Sequence, residues 1–167
     1  MKPAGYWIDI LKLQPHPEGG YYREIYRSNE IVKKEHLPER FNGDRCLATS
    51  IYFLLEGNDF SSFHRLKSDE IWNFYTGSSL TIYSIHPNGI LTQIFLGDDY
   101  EAGEVFQAVV PAGCWFAARV NVSNSYSLVG CTVAPGFEFD DFELGKREQL
   151  LKQFPQHQQL IRQFTRG

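Results

Sequence analysis

Between Arg45 and Gly136 the chain reads as a train of short apolar segments, each closed by a turn residue. CLATSIYFLLEG, FSSFHRL, EIWNFYTG, SLTIYSIHPNG, LTQIFLG, EVFQAVVPAG, CWFAARVNV and YSLVGCTVAPG follow one another, each ending at or near Gly, Pro, Asn or Asp. Segments of this length with turns at near-regular spacing specify strands, and so many of them specify a sandwich, jelly roll or barrel. Pro87-Asn88-Gly89 is the strongest hairpin signal among them. Aromatic residues make up 15% of the chain, which favours strands and large apolar pockets over a helical bundle.

The flanks have a different texture. Residues 5–13 are expected to form one or two helical turns with Trp7, Ile10 and Leu11 on one face, ended by Pro15 and Pro17. Gly19-Gly20 reads as a turn or bulge, and Tyr21 to Arg27 as a strand. The polar stretch 28–44 reads as a surface loop. After Gly136, Asp140, Asp141 and Glu143 are expected to open a helix, since acids in a first turn suit the macrodipole. Leu144, Leu150, Leu151 and Phe154 would be its apolar stripe. Pro155 suits the first turn of a second helix with Leu160, Ile161 and Phe164 inward. The expectation is one domain over 1–167, with a barrel core at about 17–136 and helices at about 140–165 packed outside it.

Composition narrows the partners. A net charge of −4 argues against nucleic acid, whose phosphates need a basic face. The N-terminal stretch lacks the apolar centre of a signal peptide, and no run approaches a membrane span, so a cytoplasmic protein with no membrane partner is expected. Cys46, Cys114 and Cys131 form no C-x-x-C pair, so neither a disulfide framework nor a zinc knuckle is signalled. Cys131, in an apolar run, reads as a small buried hydrophobe.

The chemistry concentrates in Gly57–Gly77 and in Gly103–Phe116. Strand alternation puts His64, Leu66, Glu70, Trp72 and Phe74 on one face if Phe63 and Arg65 face outward. A His and a Glu then meet across a short turn inside an aromatic barrel, as base and acid or as two metal ligands. They can equally be a buried, mutually satisfied pair with no function. Around them, Glu18, Tyr21 and Arg23 are candidates for the pocket mouth, although a barrel-edge strand with its charges outside explains them as well. Tyr52 is a candidate phenol donor, and Arg65 a rim residue or a partner of Asp69. Trp72, Phe74, Trp115 and Phe116 are candidate ligand platforms or simply core. Gln107 is a further candidate contact. Val110-Pro111-Ala112-Gly113 carries type I turn chemistry, and the acids of APGFEFDDFEL read as capping rather than metal ligands.

The spacing of Gly57, His64, Leu66, Glu70 and Gly77 resembles the first cupin motif, with Leu66 where a second His belongs. Pro111-x-Gly113-x-x-Phe116 resembles the second, with Phe116 where its His belongs. PEGGYYRE, IYFLL, HRLKSDEIW, VVPAG and LVGCTVAPGFEFDDFEL, spread from Pro17 to Leu144, resemble a small cupin branch, the cupin_5-like domains of unknown function. The resemblance implies an all-β, double-stranded β-helix (a jelly-roll barrel), a homodimer, and a small-molecule pocket lined by the motif residues. It brings no established reaction. Only His64 and Glu70 match metal-ligand positions, and a catalytic site usually keeps about three protein ligands, so no cofactor is expected, with a divalent metal on His64 and Glu70 as the alternative. The leading expectation is a small-molecule-binding cupin, acting as a metal-independent epimerase or isomerase on a sugar-nucleotide-like or other polar ligand, with His64 as base and Glu70 orienting it or acting as acid. A metal-dependent dioxygenase or isomerase, and a non-catalytic binding or sensory module, stand as alternatives.

Overall fold

The computed structural model describes residues 2–167. In chain order the elements are helix α1 (Ala4–Ile10), then strands β1 (Gln14–Pro15), β2 (Tyr21–Arg27), β3 (Ile31–Val32), β4 (Arg45–Cys46), β5 (Thr49–Glu56) and β6 (Ser61–Arg65). They continue with β7 (Asp69–Gly77), β8 (Leu80–Ile85), β9 (Leu91–Leu96), β10 (Gln107–Val110), β11 (Trp115–Val120), β12 (Tyr126–Ala134) and β13 (Glu143–Leu144). Helices α2 (Arg147–Gln153) and α3 (Gln158–Gln163) close the chain. Two antiparallel sheets make the body, one ordered β1-β2-β5-β12-β7-β10 and the other β13-β6-β11-β8-β9. The fold is a jelly roll, one of the architectures the strand train allows and the one the cupin resemblance implies, with short helices at both ends.

Alternation decides what each sheet buries. Phe53 and Leu55 of β5, Trp72 of β7, Phe116, Ala118 and Val120 of β11, and Val129, Cys131 and Val133 of β12 meet between the sheets. Their neighbours in sequence point the other way. On the first sheet, Leu54, Tyr126 and Leu128 lie under α1 with Trp7, Ile8 and Leu11. On the second, Phe63, Ile85, Trp115 and Ala117 lie under Leu150, Phe154, Ile161 and Phe164 of the C-terminal helices. Three apolar clusters thus form three stacked layers.

Several local expectations are corrected. Helix α1 ends at Ile10, which is 55% exposed, and Ile8 takes its place on the packed face. The stretch 28–44 lies at the surface as expected, and it is pinned there, because β3 pairs with β4, Lys33 bonds Asp44 at 2.8 Å and Phe41 is fully buried. Asp140, Asp141 and Glu143 open no helix. Phe139–Asp141 is a 3-10 turn, Glu143 and Leu144 form β13, and α2 begins at Arg147. Their charges are spent on arginines instead. Asp141 holds Arg45 through two bonds of 2.5 and 2.6 Å, Glu143 pairs with Arg65 at 2.7 Å, and Leu144 is exposed. Pro155 does open a turn, Pro155–His157, which leads into α3. The Pro111 turn is one residue out of frame: Cys114 N–H donates to the Pro111 carbonyl, so Gly113, at φ +82°, is its third residue rather than its fourth.

Candidate functional site: a buried acid and imidazole cluster in an aromatic cavity

One end of the space between the sheets is not filled. A cavity of about 270 Å³ is lined by residues of β2, β5, β6, β7 and β12, by the β1–β2 turn and by the 137–142 segment. Its polar floor is His16, Glu18, His64 and Glu70, and its wall includes Tyr22, Phe53, Trp72, Phe137, Phe139 and Phe142.

Backbone irregularities bring these groups together. The turn after β1 needs two left-handed glycines, Gly19 at φ +117° and Gly20 at φ +72°. It folds the chain back so that His16 and Glu18, two apart, both face the cavity. On β2 the register shifts between Glu24 and Tyr26, where Glu24 opposes Ile51 and Arg27 opposes Thr49. Residues three apart normally face opposite sides of a strand, but the extra residue of a bulge reverses the phase, and both Glu24 and Arg27 line the cavity. A second shift, on the β6–β11 ladder, lets Ser61 and His64 both reach Glu18.

The hydrogen bonds assign the protons. His64 Nδ1 lies 2.7 Å from the Ser62 carbonyl, which only accepts, so Nδ1 carries hydrogen. Burial pushes His64 down to about 3, so the ring is neutral and its Nε2 is bare. That Nε2 is 3.1 Å from Glu18 Oε2. His16 is held down to about 4, again by burial, and its Nδ1 accepts the Glu18 amide at 3.3 Å while lying 3.4 Å from the same Oε2. One carboxyl oxygen therefore faces two bare imidazole nitrogens, and it must carry the proton itself. Burial and the nearby Glu70 both raise Glu18 well above the usual carboxylate range, while its Oε1 accepts from Ser61 at 2.8 Å. The contact is a hydrogen bond between neutral partners, not an ion pair, since burial disfavours charge on both.

Glu70 stands apart. Its Oε2 accepts from Trp72 Nε1 at 2.9 Å, while Oε1 takes no hydrogen bond from the described residues. Burial raises it to about 7, so at neutral pH it is poised between its two forms.

Glu18, His64, Glu70 and Trp72 line the cavity, as does Leu66. Phe116 backs the His64 ring at 4.0 Å between centroids, and Phe74 packs against the core between the sheets. The expected meeting of His64 with Glu70 is corrected: the carboxyl that His64 contacts is that of Glu18. The other candidates lie elsewhere. Tyr21 and Tyr52 pack with the α1 cluster, and Arg23 donates to the Leu11 carbonyl at 2.9 Å. Arg65 bonds Glu143, not Asp69, and stacks over Trp115, which lies under the C-terminal helices. Gln107 bonds Asn73 at 2.6 Å. The physical reason is the same for each strand residue. Alternation sorts residues into two faces but does not say which face is inside, and here the inner set is Tyr22, Glu24, Ala108 and Phe116.

His16, Tyr22, Glu24, Arg27 and the 137–142 aromatics were not expected. The spacing His16-x-Glu18 carries no strand signal, because Glu18 sits in the turn closed by the Gly19 N–H to the His16 carbonyl at 3.1 Å. Nothing in the sequence marks the β2 bulge. No helix among the described residues is long and apolar enough to cross a membrane.

Residues 5–145 match the family model described as Cupin superfamily (DUF985). A protein of Saccharomyces cerevisiae, described as uncharacterized, is 31% identical over 154 residues, covering 87% of this chain and 76% of its own. Among solved structures, a Shewanella oneidensis protein determined by X-ray crystallography is 46% identical with a TM-score of 0.90, covering 100% of this chain and 99% of its own. A hypothetical protein from Leishmania major is 35% identical with a TM-score of 0.91, covering 99% and 100%. Oxalate decarboxylase from Bacillus subtilis matches at a TM-score of 0.54 and 14% identity, over 90% of this chain and 36% of that one, a likeness of fold alone.

Proposed function

The chain belongs to the cupin superfamily, in the family designated DUF985, and on that premise we propose that its cavity binds a small molecule and moves a proton on it, in the manner of an isomerase or epimerase. The observation that carries this reading is the placement of Glu18 Oε2 against the bare nitrogens of His64 and His16, at 3.1 and 3.4 Å. It keeps a carboxylic acid neutral inside a protein, and that acid's one O–H, turned from imidazole to substrate, donates to an oxygen on which negative charge develops.

Glu70 supplies the complementary group. Its free Oε1 takes a proton from carbon next to the substrate carbonyl, Glu18 stabilises the resulting enolate oxygen, and Glu70 returns a proton to the same carbon or, as the α-hydroxyl proton passes to the former carbonyl oxygen, to the neighbouring one. One proton is taken and one returned, with exchange against solvent while Glu70 holds it, so the cycle closes with no other reactant. A group near 7 is suited to this role, since catalysis is best served by a pKa near the working pH. His64, near 3, is too weak a base and serves to orient Glu18. This reverses the roles expected for His64 and Glu70.

The reading is independent of a metal. Supporting it, both nitrogens of His64 are engaged within the protein, by Ser62 and Glu18. Leu66 and Phe116, both buried, stand where the cupin motifs would place further ligands.

The test is proton NMR in D2O with a panel of small α-hydroxy and α-amino carbonyl compounds. Exchange of the hydrogen next to the carbonyl is expected with the wild type and lost with Glu70→Gln. Glu18→Gln should lower the rate while the compound still binds. Compounds that bind in the cavity but never exchange would sink the catalytic reading and leave a binding module.

A further inference from the structure

The charged groups of the cavity are unevenly matched. Among the described residues Arg27 is the only Lys or Arg in its lining, set against Glu24 and Glu138 at the mouth and Glu70 inside. A guanidinium has five N–H donors, and all five of Arg27 are engaged. Nε donates to Glu24 Oε1 at 3.0 Å, and Nη1 to Glu138 Oε1 at 2.6 Å and Cys46 Sγ at 3.7 Å. Nη2 donates to Glu24 Oε2 at 2.9 Å and to the Phe137 carbonyl at 3.0 Å. Nothing on Arg27 remains for a phosphate or carboxylate. Two carboxylates already share its single charge, so the mouth is net negative.

The interior continues the bias. Glu70, 7% exposed, lines the cavity, and its Oε1 takes no hydrogen bond from the described residues. The imidazoles of His16 and His64 are neutral, and Glu18 is uncharged. The wall is aromatic: Phe139 packs edge-on to Phe137 at 5.0 Å and to Phe142 at 6.2 Å, and Tyr22 lies edge-on to His16 at 4.6 Å. Aromatic faces carry negative quadrupole potential and attract cations. An anion brought inside would lose its hydration and meet only acidic or neutral groups.

We propose that the cavity selects a small organic cation, a primary ammonium compound with a compact apolar or aromatic body, with Glu70 Oε1 as the counter-ion and the Phe137–Phe142 wall around it. The sugar-nucleotide class expected from the sequence is disfavoured on the same ground, because a diphosphate finds no free cation. The proposal rests on this cavity being the ligand site, as the proposed function does, but not on proton transfer taking place there.

A matched trio tests it: benzylamine, benzyl alcohol and benzoate, each titrated into the full-length protein near pH 7.5 and followed by calorimetry and by shifts of the indole signal of Trp72. Benzylamine should bind about tenfold or more tighter than benzyl alcohol, a difference of about 1.4 kcal/mol, and benzoate should not bind. Glu70→Gln should bring benzylamine down to the level of benzyl alcohol. Benzoate binding as well as benzylamine, or none of the three binding, would overturn the proposal, and both comparisons need only the wild type. Amine selectivity without deuterium exchange removes the proton-transfer reading alone. Exchange confined to anionic or uncharged substrates removes this proposal alone.

Discussion

Glu70 shows how one residue ties the site to stability. Burial raises its pKa from the ordinary 4.5 to about 7, so between those values the folded chain holds a proton that the unfolded chain has released. The stabilising contribution is fully present below pH 4.5, is lost as pH rises to 7, and stays lost above it. Glu70→Gln removes the cost of the buried charge and keeps an oxygen for Trp72 Nε1. The variant should therefore be more stable than the wild type at pH 8, by up to about 3 kcal/mol, with the gain vanishing near pH 4.5. Urea unfolding at the two pH values measures it, and an equal effect at both would contradict the titration. His16 and His64 act in the opposite sense: their depressed pKa values make the fold lose stability as pH falls from 6.5 toward 4 and 3. At this scale the sequence was informative where a motif spacing placed a residue. His64 and Glu70 both reach the cavity. It was silent on their partners, because the Glu18 carboxyl that His64 touches lies 46 positions away in the chain.

At the scale of elements, bulges and the segment after β12 set the shape of the cavity. Strand alternation was legible in nearly every segment, yet Tyr21, Arg23 and Tyr52 face away from the cavity that their neighbours line, and Gln107 bonds Asn73 outside it. An amphipathic strand announces two faces. When both carry aromatic and charged residues, as in YYREIYR, the local sequence does not rank them. The 137–142 wall is held at one end by Arg27, through Glu138 and the Phe137 carbonyl, and at the other by a buried pair, since Asp141 holds Arg45 by two bonds while both are about 95% buried. Asp141→Ala strands the guanidinium with little beyond the Asp44 carbonyl. A loss of about 3–5 kcal/mol is expected from such an uncompensated buried charge, read as a fall in the urea midpoint. A loss below 1 kcal/mol would show that the pair is dispensable. The acids of this segment were expected as helix caps because composition alone does not distinguish a cap from an ion pair. Distance in space does, and Arg45 is 96 residues away.

In the whole molecule the C-terminal helices complete the second sheet. They lie beyond residue 145, where the family match ends, yet they cover Phe63, Ile85, Trp115 and Ala117. Phe164 is 1% exposed and packs against Phe60, Phe63 and Tyr83. Phe164→Ala should cost about 3–5 kcal/mol and lower the midpoint of one cooperative transition. A separate early transition would instead show that the helices unfold independently of the barrel. The antiparallel, turn-punctuated architecture, its apolar layers and its terminal helices were determined by the sequence itself, because alternation, glycine and proline act on the residues beside them. The acid–imidazole cluster, the saturated Arg27 and the sign of the cavity's charge were decided only by the tertiary structure. Each depends on a bulge phase or on contacts between strands far apart in the chain, and those follow from which faces can be buried together.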